Sequence, residues 1–159
     1  MKVILLTSII FALVVVHGGQ RPPPCGAKRS TREYIDFIWK HILQTKFPRN
    51  SIPDWENHFR TFNLRCRERK QSFIEQADLG QVQGICSSAG RFLRDNLCIS
   101  RSTMLVYDVI SDMNTCNILS VTPSRHYVIV ACYNVENICR PTHYEPYNKK
   151  DKPGNKPCI

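Results

Sequence analysis

Eight cysteines constrain this chain more than any other feature: Cys25, Cys66, Cys86, Cys98, Cys116, Cys132, Cys139 and Cys158. The count is even and none forms a Cys-x-x-Cys pair, so a disulfide framework is expected and a zinc site is not. Four bridges among eight sulfurs leave 105 pairings open. Such bridges need an oxidising compartment, and the amino terminus has the features of a route to one. Lys2 is followed by an apolar run from Val3 to Val16, broken only by Thr7 and Ser8, and then by Gly18 and Gly19. That order matches a secretory signal peptide over residues 1–19, and about 14 apolar residues fall short of a membrane span. No later stretch is apolar enough to cross a bilayer. The expectation is a secreted, extracellular chain.

The length, 159 residues, suits one small domain, for which four bridges compensate a limited core. Loss of the leader takes Lys2 and no acid, leaving 21 Lys plus Arg against 13 Asp plus Glu, a net +8. That charge favours an anionic partner: nucleic acid, an anionic membrane surface or an acidic polysaccharide.

Residues 20–30 form a basic, Pro-rich arm. Ser30 and Glu33 then have capping-box spacing. The helix they start carries Tyr34, Phe37, Ile38, His41 and Ile42 on one stripe, with Asp36 and Lys40 as an i,i+4 pair beside it. Phe47-Pro48 is expected to end that helix. His41 projects toward the body of the domain, where it is either a core histidine satisfied by a carbonyl or a functional imidazole.

A second helix is expected from Pro53-Asp54, with Trp55, Phe59 and Phe62 as core. Arg65, Arg67, Arg69 and Lys70 place four cations in six residues beside Cys66. They form either a solvated face or a phosphate site. A third helix is expected over residues 77–86, weakened by two glycines.

The remainder reads as strands. Thr103 to Ile110 alternates, and Asn117 to Val121 is a second apolar run. Thr122-Pro123-Ser124-Arg125 is expected to turn that run into a third strand. There His126, Val128, Val130 and Cys132 share one face, and Tyr127, Ile129 and Ala131 the other, so both faces are buried. A looser segment holds Cys139, and Pro141-Thr142-His143-Tyr144-Glu145 then places a histidine just past a rigid strand, a good position for an acid or base. Helices first and antiparallel strands later imply an α+β fold. The tail, residues 148–159, is basic, with Cys158 as its expected anchor.

Four segments in this order carry a resemblance: Phe37-x-x-x-His41, Cys66-Arg-x-x-x-x-Ser-Phe, Val-Ile-Val-Ala-Cys132 and Pro141-Thr-His143-Tyr. Together they resemble the secreted pancreatic-type ribonuclease superfamily across roughly residues 31–147. Arg94-Asp-Asn-Leu-Cys-Ile-Ser-Arg-Ser also looks like the angiogenin branch. The resemblance implies three helices on a V-shaped antiparallel sheet, and metal-independent cleavage of single-stranded RNA without a cofactor. His41 matches the base that takes the 2′-OH proton, and His143 the acid that protonates the leaving 5′-oxygen. The product is a 2′,3′-cyclic phosphate. Arg67, in place of the family's lysine, or Lys70, with the loop shifted, supplies the cation.

Among substrate-binding positions, Ser72 matches a threonine that selects pyrimidines. Gln71 stands where an asparagine is usual, Lys40 where a glutamine is, Tyr144 for phenylalanine, and Glu145 for the aspartate that orients His143. The resemblance also pairs Cys66 with Cys116 and Cys86 with Cys132. The bridge from the second helix to the sheet is missing at both ends, with Val109 on one side. For the other four cysteines the expectation is Cys98 with Cys139 and Cys25 with Cys158. The expected form is a monomer with RNA as partner. The alternative is a weakly active or inactive cationic defence or signalling protein on the same scaffold, acting on anionic membranes or a cell-surface receptor.

Overall fold

A computed structural model describes residues 22–159, and the expected signal peptide, residues 1–19, lies outside them. The first helix, α1 (Thr31–His41), opens on the expected capping box: the Ser30 hydroxyl accepts from the Glu33 N–H, and the Glu33 carboxylate accepts from the Ser30 N–H. It buries Phe37 and His41. It does not run to Phe47-Pro48. Ile42 is already extended, because β1 (Ile42–Leu43) pairs in parallel with the end of β2 (Lys70–Glu75). β-branched Ile42 and aliphatic Leu43 gain more in that buried ladder than as a last helical turn.

Helix α2 (Ile52–Thr61) is capped by Ser51 with proline in its first turn, and it buries Trp55 and Phe59. These rings pack on Leu43, Phe73, Tyr107 and Val109, an apolar cluster where the resemblance would place a disulfide. The third helix is shorter than expected. A single 3-10 turn (Gln76–Asp78) leads into α3 (Leu79–Gly84).

Beyond β1 and β2 the strands are β3 (Arg91–Arg94), β4 (Leu97–Ile99), β5 (Met104–Ser111), β6 (Ile118–His126), β7 (Ile129–Val135) and β8 (Ile138–Glu145), and among the described residues they form two four-stranded sheets, ordered β1-β2-β5-β6 and β3-β4-β7-β8. The short strands β3 (Arg91–Arg94) and β4 (Leu97–Ile99) were not anticipated. The α+β class holds, while the expectation of a purely antiparallel sheet is corrected by the parallel β1–β2 pair. Strand β5 (Met104–Ser111) pairs antiparallel with β6 (Ile118–His126).

The expected turn at Thr122-Pro123-Ser124-Arg125 is strand: Pro123 lies opposite Tyr107. Strand β6 is an edge, where a residue without an N–H costs no ladder bond. The chain changes sheets at Tyr127-Val128, so β6 and β7 (Ile129–Val135) do not form the expected hairpin. Instead β7 turns into β8 (Ile138–Glu145) through Glu136 and Asn137, at φ of 52° and 65°. Two successive positive φ values make the tight two-residue turn that matches strand twist. His143 therefore sits within a paired strand, opposite Ala131, rather than after one.

The bridges are Cys66–Cys116, Cys86–Cys132, Cys25–Cys139 and Cys98–Cys158. The first two agree with expectation. The expected Cys98–Cys139 and Cys25–Cys158 are corrected by an exchange of partners. The physical reason lies in where the two termini run. The amino-terminal arm follows β7, with Cys25 N–H donating to the Cys132 carbonyl and Lys28 bridged to Asn134, which brings Cys25 to β8. The carboxy-terminal tail crosses to β3, with Arg91 bridged to Pro157 and Phe92 N–H donating to the Lys156 carbonyl, which brings Cys158 to β4. Arg94 also pairs with Asp151, so Cys158 is not the tail's sole anchor.

Candidate active site

The two histidines singled out by sequence line one cavity of about 430 Å³, together with Lys40, Arg67, Lys70, Ser72 and Tyr144. Helix α1 supplies Lys40 and His41, the loop before β2 supplies Arg67, β2 supplies Lys70 and Ser72, and β8 supplies His143 and Tyr144. The strand period of two puts Lys70 and Ser72 on the same face.

His41 is buried between the rings of Phe37 and Tyr144, with centroids 5.4 Å and 5.1 Å away. Its Nδ1 lies 3.0 Å from the Ser72 carbonyl, an acceptor only, so Nδ1 carries the hydrogen and Nε2 keeps its lone pair. Burial pulls its pKa from 6.5 down to about 3, against the hydrogen bond to Ser72, and the charges of Arg67, His143 and Lys40 push the same way as burial. His41 is thus a buried, carbonyl-satisfied histidine that also lines the cavity.

Arg67 is held on two sides. Its Nε donates to Gln71 Oε1 at 3.0 Å, and Nη1 meets Glu68 Oε1 at 2.9 Å. The remaining nitrogen, Nη2, is buried with no protein partner. Burial lowers this guanidinium's pKa, with Glu68 opposing, though a guanidinium stays charged throughout the working pH range.

Lys70 Nζ lies 2.8 Å from Asp108 Oδ2, and Asp108 Oδ1 accepts the Ser72 hydroxyl at 2.6 Å. Lys40 pairs with Asp36 at 3.8 Å.

Two expected substrate contacts lie elsewhere. Gln71 is buried at 1% exposure, donates to the Leu64 carbonyl and supports Arg67 from behind. Glu145 lies outside that cavity, 3.5 Å from His143 Nε2, within ion-pair range of a protonated imidazole. It bounds a second, more polar cavity of about 420 Å³ that shares His143 and is walled by Arg29, Glu33, Asn96 and Tyr133. Tyr144 is buried, and burial raises its phenol's pKa.

Several cleft residues were not anticipated: Glu68, Asp108, His126, Tyr147 and Lys149. Asp108 had a signal, a lone acid within an alternating apolar strand. For His126 the signal was weaker, since it was read as part of one strand face, and Tyr147 carried none. Among the described residues, the grouped sulfurs that could face a metal, Cys86, Cys132 and Cys139 and also Cys98, Cys132 and Cys158, are all in disulfides and offer no thiolate.

No protein-family model matches the chain, and no curated protein sequence matches it.

Proposed function

We propose that this chain is a secreted, metal-independent endoribonuclease of the pancreatic type, cleaving single-stranded RNA 3′ of pyrimidines through a 2′,3′-cyclic phosphate. The observation that carries the reading is one cavity lined by His41, His143 and the half-buried guanidinium of Arg67. Phosphodiester cleavage by a neighbouring hydroxyl needs those three functions: a base, an acid, and fixed positive charge where the phosphoryl oxygens gain electron density.

In this reading the neutral Nε2 of His41 takes the proton from the ribose 2′-OH. The alkoxide attacks phosphorus, and the P–O5′ bond breaks as His143 gives its proton to the leaving oxygen. Water then opens the cyclic phosphate with the two roles reversed. The Arg67 guanidinium holds a non-bridging oxygen. Lys70 is the weaker candidate for that role, because Asp108 already neutralises it. Ser72, on the same face, meets the base edge, and Glu145 orients His143. Two cavities share His143, which leaves room for more than the reacting nucleotide. Among the described residues, three helices with two four-stranded sheets support the reading at the level of an α+β fold.

The test uses one RNA oligonucleotide containing a single pyrimidine and the same strand with 2′-deoxyribose at that nucleotide. The expected result is scission of the first with a 2′,3′-cyclic phosphate terminus, and none of the second. Equal cleavage of both strands would reject the mechanism, because it has no other nucleophile.

A further inference from the structure

One wall of the cleft is built from groups that proton transfer does not use. His126, at the end of β6, and Tyr147, two residues past β8, stack with ring centroids 4.8 Å apart and planes 6° from parallel. Both line the catalytic cavity beside Lys149. Neither ring is free to turn. His126 Nδ1 lies 2.8 Å from the Tyr127 carbonyl and so carries the hydrogen, which fixes the imidazole plane. Tyr147 is backed by Tyr127 at 6.2 Å, and both pack against the buried cluster of Leu97, Ile99, Ile129 and Ala131. The stack is therefore anchored in core on one side and borders the cleft on the other, with an exposed cation next to it.

We propose that the His126–Tyr147 pair is a stacking subsite for a nucleobase of a single-stranded nucleic acid, with Lys149 drawing in the adjoining phosphate. The proposal rests on the ribonuclease reading in taking RNA as its natural ligand, and it adds a nucleotide bound outside the reacting linkage. A flat π face held in place by core packing binds a base with little ordering cost, and it tolerates any sequence because every base has such a face. Discrimination at this subsite is by ring area and not by hydrogen bonding, so purines should stack more tightly than pyrimidines.

The experiment measures binding of an all-2′-deoxy tetranucleotide, which lacks the nucleophile and cannot be cleaved, beside the same strand with one abasic position placed in turn at each nucleotide. Inorganic phosphate is the third probe. Tyr147→Ala should weaken the intact tetranucleotide by about tenfold, the typical loss of one stacked base. Tyr147→Phe should bind as the unsubstituted protein does. One abasic position should abolish the difference between Tyr147→Ala and the unsubstituted protein, and phosphate binding should be unchanged in every variant, which reports an intact cleft. Unchanged tetranucleotide binding by Tyr147→Ala overturns the proposal, and so does an equal loss for every abasic strand. Stacking-dependent binding in a protein that cleaves no RNA would leave the subsite standing and remove the catalytic reading.

Discussion

Burial of His41 gives it two properties that pull in opposite directions. A pKa of about 3 keeps the imidazole neutral, ready to take a proton, across the whole neutral and mildly acidic range. The same shift makes it a weaker base, and proton transfer follows basicity, so turnover is expected to be modest. The acid limb of kcat/KM against pH should therefore lie near His41's lowered pKa, with no loss of rate between about pH 7 and pH 5 on that limb. A limb centred near an ordinary imidazole value would show that His41 is more hydrated than its surroundings allow. Arg67 is the second lever at this scale. Its guanidinium lines the cleft, and removing a fixed donor of this kind costs about 10²–10³ in turnover. Arg67→Ala is expected to lose at least the lower figure in steady-state cleavage. Retained turnover would pass the role to Lys70.

At the scale of elements, the sequence revealed those set by local signals and hid those set by partners. The capping box at Ser30 and the alternation of β5 were readable because the cause lies within a few residues. The end of α1 was not, since Ile42 and Leu43 are claimed by a strand more than thirty residues away. Pro123 looked like a turn because its tolerance depends on β6 being an edge, a property of the sheet and not of the tetrapeptide. Candidate residues followed the same rule. His41 and His143 were legible through their motifs, whereas the Gln71 support of Arg67 depends on the loop folding back over β2. One element junction makes a sharp prediction. A side chain on Gly90 would land inside the Ile85 backbone, where α3 gives way to β3. Gly90→Ala should cost about 1–3 kcal/mol in denaturant unfolding with the bridges intact, as overpacking against backbone does. An unchanged midpoint would mean the junction can open.

Across the whole molecule, stability is tied to pH through buried imidazoles. His58 is 3% exposed, boxed by Phe47, Trp55, Phe59, Phe62 and Phe73, and neither ring nitrogen has a protein partner. Burial takes its pKa from 6.5 to about 4, with Arg49 as the nearby charge acting the same way. The unfolded chain thus takes up this proton before the folded one does. Stability is full above about pH 6.5 and falls as pH drops toward 4, by on the order of 2–3 kcal/mol from this residue. His41 adds to the same loss. His58→Phe should flatten the fall in Tm between those pH values, and an unaltered slope would place the linkage elsewhere.

The bridges act at this scale too. Cys25–Cys139 and Cys98–Cys158 tie both ends of the described chain to the β3-β4-β7-β8 sheet, closing spans of 114 and 60 residues. Replacing Cys98 and Cys158 together by serine should cost about 2–5 kcal/mol. Limited proteolysis should then cut first in the tail, and equal resistance of the two proteins would mean that the contacts of Arg94 and Lys156 hold it alone.

The account depends on two imidazoles, 102 positions apart in sequence, handling the two protons of one reaction. Turnover of single-stranded RNA by the refolded chain, measured beside His41→Ala and His143→Ala, tests this directly. Each variant should lose about 10²–10⁴-fold in kcat, the usual worth of a positioned acid or base. RNA cleavage at the unsubstituted rate by either variant would contradict the account.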